Sequence, residues 1–107
     1  MPTRGQLPRG NLTKVYAIVH GHVQGVGYRS FVRGIAYMYG IKGFVENSPD
    51  GSVRVLAIGD AEAIDKFLKA ISVDQPNGPS VAHIETINED DPEFPKHEDV
   101  DGFFIRR

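Results

Sequence analysis

The apolar residues Tyr28, Phe31, Val32, Ile35, Ala36 and Tyr39 recur at i, i+3, i+4, i+7, i+8 and i+11. That spacing lays them along one face of a helix. Gly40 stands just beyond, where a helix stop is expected. A second stripe, Ile64, Phe67, Leu68 and Ile71, follows Asp60, a residue type that caps helix starts. Helices with one apolar face need an apolar surface to pack on, and the strand-like segments of the chain supply it. Residues 15–20 are apolar on both faces, as in a central strand. Residues 42–47 and 52–58 flank Ser48, Pro49, Asp50 and Gly51, a set suited to a tight hairpin. Residues 81–87 form a fourth strand candidate and residues 102–106 a short fifth.

The order is therefore βαββαβ with an extra short C-terminal strand. It predicts an α+β, ferredoxin-like two-layer sandwich with both helices on one face of an antiparallel sheet. At 107 residues this is a single domain. Residues 1–13 are polar, rich in Gly and Pro and without periodicity, so they are expected to form a flexible arm, with the folded domain over residues 14–107. The pattern fixes an architecture but no activity, since this architecture hosts many functions.

Composition narrows the classes. The chain has no cysteine, which rules out disulfides, thiol catalysis and thiolate metal sites. No apolar stretch approaches the ~20 residues that span a bilayer, and the N-terminus lacks the apolar core of a secretory signal. A cytoplasmic protein without membrane contact is expected. Net charge is −2, and Glu85, Glu89, Asp90, Asp91, Glu93, Glu98, Asp99 and Asp101 crowd toward the C-terminus. Such a surface disfavours nucleic acid, whose affinity rests on phosphate neutralisation. The acidic run itself reads as a solvated loop.

The chemistry concentrates between the first strand and the first helix, in Gly21, His22, Val23, Gln24, Gly25, Val26, Gly27, Tyr28 and Arg29. Glycines let successive backbone N–H groups converge on an anion, and a helix start adds the positive end of its dipole. Arg29 offers a planar fork of donors for phosphate oxygens. A cation at a helix start opposes the dipole, and that placement is better explained with an anion nearby. The loop matches neither the Walker pattern nor the dinucleotide fingerprint. Asn47, just before the hairpin turn, can accept from a water while donating elsewhere, which suits an orienting group. On its own it reads as a turn residue. Ser48 follows it with no His–Asp relay to make it a nucleophile, so it supports the turn or Asn47. His20 and His22 share a strand face, but no nearby acidic partner completes a metal site, and His83 and His97 read as structural or solvated.

Two of these strings, Gly21-x-Val23-Gln24-Gly25-Val26-Gly27-Tyr28-Arg29 and Gly43-Phe44-Val45-Glu46-Asn47-x-Pro49-Asp50-Gly51-Ser52-Val53, resemble the signatures of the acylphosphatase family. The resemblance runs from about Val15 to Ile71 and more weakly to the C-terminal strand. It implies hydrolysis of acyl phosphates to carboxylate and orthophosphate by a positioned water, without metal, cofactor or covalent intermediate. Arg29 is then the phosphate ligand and Asn47 the residue that positions the water. His22, Val23, Gln24, Gly25, Val26 and Gly27 supply the phosphate loop, with Gly21 and Ser48 in support. His22 stands where the family more often has a longer basic residue. The implied partners are an acyl phosphate and inhibitory phosphate, and a monomer is expected. Related modules open the hydrogenase-maturation carbamoyltransferases, but no zinc-finger or transferase region follows here, so a stand-alone enzyme is expected.

The alternative is a catalytically idle ferredoxin-like module that binds phosphate or nucleic acid. Lys42, Gly43, Phe44 and Val45 partly mimic an RNA-recognition strand, but Glu46 and Asn47 occupy the positions where stacking aromatics are needed.

Overall fold

The computed structural model describes residues 12–107. The expected arm lies outside the described residues as far as position 11, and its last two positions, Leu12 and Thr13, open the first strand. The elements are β1 (Leu12–His22), α1 (Tyr28–Tyr39), β2 (Lys42–Asn47), β3 (Val53–Asp60), α2 (Ala61–Ile71), β4 (Ser80–Asn88) and β5 (Phe103–Arg106). They form one five-stranded sheet in the order β4-β1-β3-β2-β5. β1 and β3 lie inside it, as their nearly continuous apolar sequences require.

The sheet is mixed, which corrects the expectation of a purely antiparallel one. β5 pairs in parallel with β2, Gly43 opposite Phe103 and Glu46 opposite Arg106. The long return after β4 makes this possible, because residues 89–102 carry the chain across the sheet to its other edge. On the way Phe94 packs edge-on against Tyr16, with ring centroids 6.4 Å apart.

Alternation decides the core. Val15, Ala17 and Val19 of β1, Val45 of β2, and Val53, Val55 and Ala57 of β3 are buried in one cluster with Val32 and Ala36 of α1 and Ile64, Phe67 and Ile71 of α2. The helical stripes thus fall as their spacing predicts. Gly40 ends α1 in the left-handed conformation, its N–H donating to the carbonyls of Ala36 and Tyr37. Asp60 stands at the start of α2, but its side chain makes no capping bond. Phe67 is fully buried and meets Phe103 of β5 edge-on at 6.1 Å, which ties the C-terminal strand to the helix layer. Burying such a ring contributes roughly 2–3 kcal/mol. No described helix is long and apolar enough to cross a membrane.

Candidate active site

The loop between β1 and α1 has a backbone that only glycines make easily. Gly25 and Gly27 have φ of 76° and 77°, while no non-glycine residue of the described chain has positive φ. From Gln24 to Tyr28 the sign of φ therefore alternates, the pattern by which successive N–H groups form an anion-binding nest. A Cβ at either glycine would meet nothing within 4 Å, so conformation and not space selects the residue. Gly27 is also the N-cap of α1. It provides no capping side chain, and the first helical turn carries no acidic residue. The N–H groups of that turn are left for water or an anion.

Val23, Gly25, Gly27, Tyr28, Arg29, Ser30, Ile105 and Arg107 line a cleft of about 170 Å³. Arg29 is half-buried there, and its Nη1 donates to the carbonyl of Arg106 at 3.2 Å. No described carboxylate pairs with it, although most other cations of the sheet surface have one: Lys14 has Glu89, Lys42 has Asp101, Arg54 has Asp50 and Arg106 has Glu46. Tyr28 anchors the helix start from below. It is buried, its hydroxyl donates to the carbonyl of Ile71 at 2.7 Å, and burial pushes its pKa well above the ordinary phenol value.

Gln24 joins the loop to the hairpin. Its side-chain amide donates to the carbonyls of both Ser48 and Ser52, each at 2.8 Å. The hairpin is fixed in turn by Asp50, whose Oδ1 accepts from Ser52 N at 2.9 Å and Ser52 Oγ at 2.6 Å while Oδ2 accepts from Arg54 at 3.1 Å. These bonds to Ser52, then to Arg54, hold the Asp50 carboxyl well below the usual range. Asn47 is exposed at the end of β2, opposite Val53 and next to the clamped Ser48. One residue beyond the Glu46–Arg106 pair, Asn47 ends β2 and Arg107 follows the end of β5. Asn47 is not in the cleft wall itself. His22 and Gly21 are exposed at the end of β1, and Val26 packs against the core.

The Gln24 side chain thus does more than the backbone role its place in the loop suggests, and the sequence signal for it is a polar residue between the buried Val23 and the half-buried Val26. Arg107 and Ile105 were not foreseen as cleft residues, because their approach depends on the parallel pairing of β5.

The sequence profile of the acylphosphatase family matches residues 15–105. The chain belongs to the acylphosphatase family. An acylphosphatase of Methanocella arvoryzae is 40% identical over 92 residues, covering 86% of this chain and 97% of that one. Another, of Archaeoglobus fulgidus, is 47% identical over 66 residues, 62% of this chain and 70% of the other. The crystal structure of acylphosphatase from Bacillus subtilis superposes with a TM-score of 0.74 at 32% identity, covering 89% of this chain and 99% of that one. The activity is that of an acylphosphatase, and the substrates are acyl phosphates. An idle binding module is the weaker reading.

Proposed function

We propose that hydrolysis proceeds in this cleft by direct attack of water on phosphorus, with Arg29 and the loop N–H groups holding the phosphoryl oxygens and Asn47 orienting the water. An acyl phosphate is a mixed anhydride whose carboxylate leaves readily, so a strong general acid is dispensable. What remains to be supplied is alignment and stabilisation of negative charge. Arg29 supplies a guanidinium fork for the phosphoryl oxygens, and N–H groups fixed by the loop and helix need no reorganisation as charge develops. The phosphoryl group sits on residues 22–27 and Arg29, with Gly21 and Ser48 supporting the loop and the turn. Carboxylate and orthophosphate leave. Orthophosphate, sharing the same ligands, competes with substrate.

The observation that carries this reading is the convergence on one cleft of Arg29, left without a carboxylate, the uncapped first turn of α1 and the two left-handed glycines. Arg29 also reaches β5 through the Arg106 carbonyl, and β5 runs beside the strand that ends in Asn47. We further propose that the chain acts as a monomer in the cytoplasm.

The test is turnover of benzoyl phosphate in EDTA by the wild type, Arg29→Ala and Asn47→Ala. Removing one preorganised donor costs about 2.7–4 kcal/mol, or about 100- to 1000-fold in rate. Arg29→Ala is expected to lose activity on that scale and to lose competitive inhibition by phosphate. Asn47→Ala is expected to lose kcat while phosphate still binds. Undiminished turnover in Arg29→Ala would refute the assignment, and an unchanged kcat in Asn47→Ala would remove the water-orienting role.

A further inference from the structure

We propose that His20, His83 and Glu85 form a binding site for one divalent transition-metal ion of the zinc class. The site stands on the face of the sheet away from the helices. None of its residues lines the phosphate cleft.

The sequence showed no acidic partner close to His20 and His22, yet the β1–β4 pairing supplies one. His20 stands opposite His83 and Ile18 opposite Glu85, so Glu85 is diagonal to His20 on the same face. The register shifts immediately after His20, between His20 and Gly21. Bulges of this kind re-aim side chains at the ends of paired segments. His20 Nε2 comes to 3.4 Å from Glu85 Oε1, and His83 Nε2 to 3.8 Å from the same oxygen. One ligand atom from each of the three residues lies within 4.8 Å of the others. Bonds of about 2.0–2.1 Å in a tetrahedral zinc site put neighbouring ligand atoms about 3.3–3.4 Å apart, so one pair already has that separation and a second is near it.

The ordinary alternative is a pair of stacked imidazoles with a surface ion pair. The rings do stack, with centroids 4.4 Å apart and planes 13° from parallel. That arrangement leaves a polar atom unsatisfied, since His20 Nε2 is buried and has no hydrogen-bond partner despite its approach to Glu85. An orphaned buried nitrogen is costly, whereas an exposed ion pair contributes about 0–1 kcal/mol. A metal ion satisfies the orphan directly. Ring lone pairs lie in the ring planes, so coordination requires the stack to open, by a turn of His83, which is exposed on the outer strand. Two imidazoles and one carboxylate are the donor set of zinc-class ions, while magnesium and calcium favour oxygen alone. A fourth ligand would be water.

The untagged full chain, stripped with EDTA and dialysed, is titrated with Co2+ by visible absorption and with Zn2+ by calorimetry. One equivalent of each is expected to bind, Zn2+ displacing Co2+, with no comparable binding of Mg2+. His83→Ala and Glu85→Gln alter exposed residues that the fold does not need, and each is expected to weaken Zn2+ by at least about 100-fold, the upper range for changes outside the ligand set. His97→Ala keeps wild-type affinity. Zn2+ raises the Tm of the wild type and not of the two ligand variants. Absence of a stoichiometric step, its survival in both ligand variants, or its equal loss in His97→Ala would overturn the site.

Discussion

Replacing Gln24 by Ala separates the phosphate loop from the hairpin without touching either backbone. Two hydrogen bonds of 2.8 Å disappear. Each contributes a net ~0.5–1.5 kcal/mol. The carbonyls they leave are not orphaned, because Ser48 O still accepts from Gly51 N at 3.0 Å and Ser52 O from Ser48 N at 2.9 Å. The stability cost therefore falls in the lower half of the sum, about 1–2 kcal/mol, and each kcal/mol lowers Tm by roughly 4–8 °C in a domain of this size. The catalytic cost is of another kind. The clamp spans 24 and 28 residues of sequence, so the positions of Gly25 and of Asn47 relative to one another depend on it. Misplacing a reacting group by ~1 Å costs up to about 100-fold. Steady-state kinetics on benzoyl phosphate with phosphate as competitive inhibitor is expected to show kcat reduced at least about tenfold and the inhibition constant changed less than about threefold. Gln24→Glu is expected to be worse than Ala, because a carboxylate faces two carbonyl oxygens with nothing to donate. A Tm loss with unchanged kcat would show that the clamp holds only the fold. An inhibition constant raised as much as kcat falls would mean that the Gln24 side chain, and not only its backbone, acts on the phosphate.

Gly27→Ala meets no steric obstacle but forces an L residue to φ of 77°, so thermal denaturation is expected to show a loss of about 1–2 kcal/mol, with phosphate binding weakened because the nest and helix start share this residue. Phe67→Ala is expected to cost about 3–5 kcal/mol in urea denaturation and to raise KM, since Phe67 backs Phe103 and hence the strand that brings Ile105 and Arg107 to the cleft. Asp50 has a lowered pKa, so its stabilising effect is full above the ordinary carboxylate value near ~3.9 and declines as pH falls below it. The Tm difference between wild type and Asp50→Asn is accordingly expected to be constant from pH 7 to 5 and to shrink in melts below pH 4.

The helices and the inner strands were legible because burial on one or both faces writes itself into apolar spacing. Tyr28 to Tyr39 and Ile64 to Ile71 could face only a sheet, and residues 15–20 could lie only inside one. The direction of β5 was not legible. Four residues carry no information about which edge they join, and the acidic stretch of residues 89–102 allowed either. The same gap hid Arg107 and Ile105 from the cleft. Gln24 shows a second limit, since a polar side chain that bonds two carbonyls more than twenty residues away leaves no periodic trace. His83 and Glu85 show a third. Their meeting with His20 follows from the register of β1 against β4, and a register with a shift in it cannot be counted from sequence.

A cation in the first turn of a helix faces the positive end of the dipole, at a cost of about 0.3–1 kcal/mol. Arg54 has Asp50 and Arg106 has Glu46, whereas no described carboxylate lies within ion-pair distance of Arg29. Arg29 has instead the carbonyl of Arg106, which fixes one Nη1 donor and leaves the rest of the fork uncommitted. Arg107 adds a second cation to the same wall. The cleft thus brings together a helix end, two arginines and a loop whose alternating φ suits a nest of N–H groups. A phosphoryl group bound there would engage all of them at once, and no Asp, Glu or His side chain is among the described residues of the wall. Ligand-induced stabilisation by phosphate, measured as a Tm rise that follows RT ln(1 + [L]/Kd), is expected in the wild type and absent in Arg29→Ala. An equal rise in both would mean that the cleft is not the binding site.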